Sequence, residues 1–221
     1  MRADLGVNRF QYALSSGREM YRMFNEKMRM SKQSILNWLT RGAELLEGGK
    51  KYIKKMLLKM GTSIYCDETW VWTKVKVNGV YKYVKRYMWV IVNLTTKVCY
   101  YLFGRRKRKV IEEFLGEFKG TLMTDAYNAY AYFSKITYRD IGSVLIDNNC
   151  CERAVRPFTN LRKSFGGFSS EKGGEVAAAW LTFIETCKLQ KKAAFDFFND
   201  FFKKVTEGRG DYELIAQEVL G

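Results

Sequence analysis

The chain contains no histidine. This absence excludes Ser–His and Cys–His nucleophilic pairs, and it excludes every metal site that needs an imidazole ligand. Any catalysis must therefore use carboxyl, amine, phenol or thiol groups, and any metal site must be ligated mainly by oxygen. Oxygen ligands select hard cations such as Mg²⁺ or Mn²⁺.

Acidic residues are scarce: 23 Asp and Glu stand against 38 Lys and Arg, which gives a formal net charge of +15. Such an excess favours a polyanionic partner, and nucleic acid is the commonest one. The alternative is a basic protein with no such partner. With 47% hydrophobic and 15% aromatic residues, the 221-residue chain has the composition of a globular protein with a real core.

Neither a cysteine framework nor a membrane segment is indicated. The five cysteines are odd in number and show no CxxC spacing, so we expect neither disulfides nor a zinc ribbon, but free thiols in a reducing cytoplasm. The adjacent pair Cys150-Cys151 permits a redox role, although buried or idle thiols are the simpler reading. The sequence shows no signal-peptide pattern and no apolar run long enough to span a bilayer, so we expect neither a leader nor a membrane partner.

The N-terminal part of the chain is predicted to be helical. Apolar residues recur at helix spacing over Arg18–Met60, Ser31 is an N-cap candidate, and Gly48-Gly49 is expected to break the pattern before a linker helix. One interpretation is a helix-turn-helix with Ser31–Arg41 as the recognition helix. The other is an ordinary helical hairpin whose methionines and leucines belong to the core.

Strand signals begin after this helical region. Runs rich in β-branched and aromatic residues predict strands, with Asn78-Gly79 as a hairpin turn, and an amphipathic helix then precedes a short buried strand. Three antiparallel strands, a helix and another strand form the opening of a ribonuclease-H-like fold of the mixed α/β class. The predicted strands are Ser63–Thr73, the hairpin Val75–Val84, Tyr87–Leu94, Lys97–Phe103 and Thr121–Thr124.

Helical patterns return in the last third of the chain. A short helix carrying Glu152, capped by Asp147 or Asn148, is expected to end or kink at Pro157, the only proline. We expect a basic loop over Leu161–Ser170 and two helices to follow. After Glu207 we expect a loosely held tail, either irregular or with one more turn of helix. The predicted domains are a helical region at 1–60, a ribonuclease-H-like core at 61–165 and a C-terminal helical region at 166–221.

Three acids from distant segments, Asp67, Asp125 and Glu152, suit two-metal phosphoryl transfer, in which one carboxylate bridges two hard cations. On a strand, Asp67 and Glu68 point to opposite faces, so only one of them can enter a shared site. Each acid also has an ordinary interpretation: a strand-end residue, a turn former, or a helical ion pair of Glu152 with Arg156.

Basic residues beside these acids are candidates for phosphate contact. Arg153 and Arg156 follow Glu152, and their guanidinium groups can hold a phosphate through two parallel hydrogen bonds. The run Arg105–Lys109 is either a solvated charge run or a phosphate-contact patch, and the sequence leaves both open. The candidate DNA-binding residues are Arg105, Arg106, Arg153, Arg156, Arg162 and Lys163.

The segment Asp147-Asn148-Asn149-x-x-Glu152-Arg153-x-x-Arg156-Pro157, followed by Arg162-Lys163, resembles the signature of the insertion sequence 66 family of transposases. Asp67-Glu68-Thr69, Thr124-Asp125-Ala126-Tyr127 and Ile184–Lys188 resemble its other motifs. The resemblance implies a prokaryotic, cytoplasmic and nucleoid-associated DDE enzyme. Such an enzyme cuts and joins DNA at the ends of a mobile element, with Mg²⁺ or Mn²⁺ held by Asp67, Asp125 and Glu152.

The chain departs from the family pattern in three ways. Ala126 stands where the family usually has glycine, and Tyr132–Gly142 joins directly across a position where the family carries a long stretch. We also expect the chain to be an N-terminally shortened copy that lacks the cysteine-rich module of the family. We therefore expect an incomplete core with an exposed edge, which a homodimer could cover. The alternative functions are a catalytically inactive DNA-binding remnant and, more remotely, an RNA-processing nuclease.

Overall fold

A computed structural model describes residues 3–124 and 149–221 of the protein. Within these residues the chain forms a mixed α/β structure with four strands and eight α-helices. The strands are β1 (Ser63–Val77), β2 (Val80–Asn93), β3 (Val98–Gly104) and β4 (Thr121–Thr124). The helices are α1 (Ala3–Gly6), α2 (Ser16–Asn25), α3 (Lys32–Leu57), α4 (Arg108–Leu115), α5 (Asn149–Phe165), α6 (Glu171–Leu189), α7 (Ala194–Thr206) and α8 (Tyr212–Leu220).

The four strands form one sheet in the order β3-β2-β1-β4. β1, β2 and β3 are antiparallel, whereas β4 is parallel to β1, with Cys66 opposite Thr124 at the end of their pairing. The crossover through α4 that this parallel pair requires lies where the sequence predicted a helix. The predicted order of three antiparallel strands, a helix and a strand is therefore confirmed.

The predicted division of the first strands was wrong in detail. The hairpin predicted at Val75–Val84 is the distal end of two long strands, because β1 and β2 pair without interruption from Ile64 with Asn93 to Val77 with Val80. Asn78 and Gly79 both have positive φ, 49° and 80°, which matches the turn that this dipeptide favours.

The N-terminal helices follow the predicted pattern except at one point. Ser31 caps α3, since its Oγ accepts a hydrogen bond from the Ser34 amide at 3.0 Å. The break expected at Gly48-Gly49 was wrong: α3 runs through both glycines to Leu57. A Cβ on Gly48 would lie 2.7 Å from the Tyr212 ring, so the glycines allow α8 to approach α3 closely.

The C-terminal region corrects three further predictions. Pro157 does not end its helix, and α5 continues to Phe165 because Ala154, Phe158 and Leu161 form one buried stripe on both sides of the proline. The predicted basic loop is therefore shorter and begins after Phe165. The tail expected to be loose contains α8, with Ile215, Ala216 and Leu220 buried.

The helix α6 lies at the centre of the packing and covers the outer edge of the sheet. The Thr186 hydroxyl accepts a hydrogen bond from the Cys99 amide and donates one to the Cys99 carbonyl, both at 3.1 Å. The Thr182 hydroxyl accepts a hydrogen bond from the Tyr101 amide at 3.0 Å. These bonds satisfy backbone groups of β3 that would otherwise form an open sheet edge. On the other side of α6, Trp180 packs against Phe198 and Phe202.

Candidate active site on the sheet

Asp67 lies near the middle of β1 in a row of residues that crosses three strands. It pairs with Val90 of β2, and Val90 pairs with Tyr101 of β3. Paired residues on neighbouring strands project to the same side of a sheet, so these three side chains share one face. Asp67 is half-buried, and one of its carboxylate oxygens accepts a hydrogen bond from the Glu68 amide at 2.7 Å.

The helix α5 packs on this row with its N-terminal half. The Cys151 thiol lies 3.2 Å from the Val90 carbonyl oxygen and 3.6 Å from that of Tyr65, and the Tyr101 hydroxyl donates a hydrogen bond to the Ala154 carbonyl. Glu152 follows Cys151 in the first turn and is exposed to solvent. The structure thus brings the segment that carries Glu152 to the part of the sheet that carries Asp67.

The Cys151 thiol is buried between α5 and the sheet, and its pKa is raised. Burial raises this pKa well above its usual value, and the negative charge of Asp67 raises it further. The thiol is therefore protonated near neutral pH, which favours its role as a packing group and weak donor over a redox role. All five cysteines are free, and four of them, Cys66, Cys99, Cys151 and Cys187, are buried.

The other predicted acid, Asp125, lies outside the described residues, as do the helix-cap candidates Asp147 and Asn148. The strand that precedes Asp125 in the chain, β4, lies within the described residues. Thr124, the residue before Asp125 in the chain, pairs with Cys66, the residue before Asp67.

Glu68 has a different environment from Asp67. Its side chain is 7% exposed and forms an ion pair with Arg106, whose Nη2 lies 2.6 Å from its Oε1. Arg106 also lies over the Tyr87 ring, with its guanidinium carbon 5.4 Å from the ring centroid. Glu68 therefore binds a basic partner on the sheet face opposite to Asp67, as strand alternation predicted.

The predicted arginines near Glu152 line an open groove. Arg153 and Arg156 are exposed on α5, and they share a cavity of about 730 Å³ with residues of α6 and the turn that follows it. Three lysines that the sequence interpretation did not select, Lys188, Lys191 and Lys192, line the same groove. In the sequence these lysines form a basic run at the end of α6. Only the fold shows that this run faces α5.

The other predicted DNA-binding residues Arg162, Lys163 and Arg105 do not line the groove. Arg162 connects α5 to β1, donating hydrogen bonds to the Thr69 hydroxyl at 3.1 Å and the Trp70 carbonyl at 2.6 Å. Lys163 is exposed one residue further along the helix. Arg105 is exposed after β3, and its carbonyl accepts a hydrogen bond from the Trp89 indole at 3.3 Å.

No group of three or more cysteine or acidic side chains suited to a metal ion occurs within residues 3–124 and 149–221. Asp67 and Glu152 supply the oxygen donors that hard cations prefer, and the chain has no imidazole. The donor chemistry present at the site therefore fits Mg²⁺ or Mn²⁺. In the same parts of the chain, no helix is both long and apolar enough to cross a membrane.

The sequence profile of the Transposase IS66 family matches residues 1–138 and 134–176. Because these two segments cover most of the chain, the protein belongs to the IS66 family of transposases, as its acid motifs predicted. Membership of this family supports a function in the transposition of a mobile element. The matched segments overlap at residues 134–138, within the stretch where the sequence predicted a direct join.

One curated relative, an uncharacterized protein named y4qI from Sinorhizobium fredii (strain NBRC 101917 / NGR234), is 34% identical over 75 residues. The aligned stretch covers 34% of this chain and 14% of that protein. No solved structure matches the chain significantly.

Proposed function

We propose that this protein is a DDE transposase that cleaves DNA at the ends of an insertion sequence and joins the ends to a target. The observation that carries the proposal is the packing of α5 on the row that contains Asp67. Cys151 contacts the Val90 and Tyr65 carbonyls, and it is followed directly by Glu152. Two of the three acids of a DDE site therefore lie on packed elements, and the third follows a strand paired with the first.

We further propose that the sheet belongs to a ribonuclease-H-like core. The support is topological: β2 is antiparallel to β1, β3 is antiparallel to β2, and β4 is parallel to β1 on its other side. This fold places the first acid on the central strand and the second at the end of the adjacent parallel strand. Asp67 and Asp125 have these positions along the chain relative to β1 and β4.

Asp67, Asp125 and Glu152 would hold Mg²⁺ or Mn²⁺ in this proposal. Two bound cations would supply activation of the attacking oxygen and stabilisation of the leaving oxygen. The Cys151 thiol and the Tyr101 hydroxyl would act as positioning groups, because their bonds to Val90 and Ala154 fix the first turn of α5 on the sheet.

The DNA backbone would enter through the groove between α5 and the end of α6. Arg153, Arg156, Lys188, Lys191 and Lys192 line this groove. Glu185, which also lines it, is 6% exposed and lies beside Lys188, so it contributes little negative charge to the surface. Basic side chains arranged around an open groove suit a polyanionic backbone, and binding through them weakens as the salt concentration rises.

The test is a nicking and strand-transfer assay on a supercoiled plasmid that carries the element's ends, with Mg²⁺ and then Mn²⁺. We expect metal-dependent activity in the wild-type protein and a loss of at least about 100-fold in Asp67→Asn and Glu152→Gln. Even the groups that support metal ligands typically contribute 10–100-fold. The matched control is Glu175→Gln, which changes a glutamate on α6 whose side chain is 58% exposed. If the wild-type protein binds DNA but does not cleave it with either metal, the proposal fails and a DNA-binding remnant is left.

A further inference from the structure

The long hairpin of β1 and β2 extends beyond the rest of the sheet. β3 pairs with β2 only between Tyr87 and Asn93, and β4 pairs with β1 only between Ser63 and Cys66. Residues 71–77 and 80–86 therefore form a two-stranded ribbon beyond β3, with the pair Trp70 and Tyr87 at its base. Phe168 joins the edge of this ribbon, bonding the Trp72 carbonyl and the Lys74 amide, each at 2.9 Å.

One face of this ribbon carries only aromatic and basic side chains, and three of its four cross-strand pairs join an aromatic residue to a lysine. The register pairs Trp70 with Tyr87, Trp72 with Lys85, Lys74 with Tyr83 and Lys76 with Tyr81, and paired residues share a face. We call this set the ribbon face; its members are Trp70, Trp72, Lys74, Lys76, Tyr81, Tyr83, Lys85 and Tyr87. The opposite face carries mainly valine and threonine on β1, so the pattern is specific to one side.

The aromatic side chains of the ribbon face are accessible to a ligand. Tyr81 and Tyr83 are 62% and 65% exposed, and Trp70 and Trp72 are 38% and 40% exposed. The two indoles meet edge to face, with their ring planes at 75°, so neither ring is stacked on the other. Exposure of several Trp and Tyr rings to water is unfavourable. An exposed aromatic patch of this kind therefore indicates a binding surface.

The charge of this surface has one sign. No aspartate or glutamate occurs between Glu68 and Glu112, although 11 lysines and arginines do. The lysines of the ribbon face lie against its aromatic rings: Lys85 Nζ is 5.0 Å from the Trp70 centroid, and Lys74 Nζ is 4.6 Å from that of Tyr81. None of Lys74, Lys76 and Lys85 pairs with a carboxylate in the described parts of the chain, so their charge is available to an anion.

We propose that the ribbon face binds single-stranded DNA, with bases stacked on its aromatic rings and phosphates on its lysines. A duplex offers phosphates but keeps its bases stacked on one another. It would therefore contact the lysines and leave the four exposed aromatic rings without a stacking partner. Aromatic rings interleaved with basic side chains are the arrangement that binds unpaired strands without sequence preference. The inference deepens the proposed function and rests on it for the choice of DNA over RNA. The contact itself needs neither metal nor the acids.

The test is fluorescence anisotropy with the full chain and no metal, comparing a labelled oligo(dT) strand, a duplex of equal length and an oligo(U) strand. Tyr81→Ser with Tyr83→Ser should weaken oligo(dT) binding by more than about tenfold, since each base–aromatic stack contributes roughly 1–3 kcal/mol. The matched control is Tyr21→Ser on α2, because Tyr21 is 68% exposed and far from the ribbon in sequence. Binding of the duplex should change less than threefold in the double variant.

A second variant isolates the phosphate contacts. Lys76→Gln with Lys85→Gln should reduce the slope of log affinity against log salt for oligo(dT) by about 1.4, since each phosphate contact contributes roughly 0.7. Lys51→Gln with Lys55→Gln, two exposed lysines on α3, is the control and should leave the slope unchanged.

Three results would overturn the proposal. They are wild-type affinity in the tyrosine variant, an equal loss for duplex and single strand, and tighter binding of oligo(U) than of oligo(dT). The outcome is independent of catalysis. A protein that binds oligo(dT) through the ribbon but does not nick DNA would defeat only the proposed enzyme function.

Discussion

At the residue scale, adjacent acids on β1 have different roles because a strand alternates its faces. Asp67 projects towards α5 and affects the pKa of Cys151, whereas Glu68 is paired with Arg106. The sequence predicted that only one of them could join the site, and it selected Asp67. It could not identify Cys151 or Tyr101 as positioning groups, because their contacts join segments that are more than 50 residues apart.

A buried carboxyl group in the groove between α5 and α6 gives a prediction about pH. Glu185 on α6 is 6% exposed, and burial raises its pKa above the usual 4.5, while Lys188, with its Nζ at 3.4 Å, lowers it in part. The folded protein therefore retains a proton that the unfolded chain has already released. The free energy of unfolding should thus fall as the pH rises from about 4.5 through the raised pKa, by at most about 1.4 kcal/mol per pH unit.

Glu185→Gln removes this ionisation. Urea unfolding between pH 4.5 and 7 should show the variant gaining stability relative to the wild-type protein as the pH rises. Glu175→Gln, at an exposed position of the same helix, should follow the wild-type curve. Parallel curves for Glu185→Gln and the wild-type protein would contradict the assigned pKa direction.

At the element scale, the sequence predicted the order of the elements better than their ends. The alternation of side-chain types and the Asn78-Gly79 turn predicted strands, and apolar residues at helix spacing predicted α6. Three expectations were wrong for one shared reason: the break at Gly48-Gly49, the end of a helix at Pro157 and the loose packing of the tail after Glu207. Packing against distant parts of the chain, α8 on α3 and α5 on the sheet, overrides the local preference of a glycine or a proline.

The packing of α8 can be tested with two neighbouring residues. Ile215 is fully buried and Leu214 is 53% exposed. Ile215→Ala should lower the free energy of unfolding by about 2–5 kcal/mol, because it removes buried methyl groups and leaves a cavity. Leu214→Ala should change it by less than about 0.5 kcal/mol. Equal, small effects in urea unfolding would mean that α8 is not held on α3.

At the scale of the whole molecule, the sheet separates two surfaces that we assign to DNA. One face of the β1–β2 hairpin carries Asp67 beneath α5, and the other continues into the aromatic and basic ribbon face. The groove with Arg153 and Lys188 extends the basic surface beside α5. A homodimer and association with the nucleoid stay predictions, as do the predicted domain boundaries.

The central claim is that Asp67 and Glu152 belong to one metal site formed by β1 and α5. The most direct measurement is electron paramagnetic resonance of Mn²⁺ bound to the purified protein and its variants. We predict that the wild-type protein binds Mn²⁺, that Asp67→Asn and Glu152→Gln each abolish this binding, and that Glu68→Gln retains it because Glu68 is on the other face. Wild-type Mn²⁺ binding by Glu152→Gln in a folded protein would contradict the account.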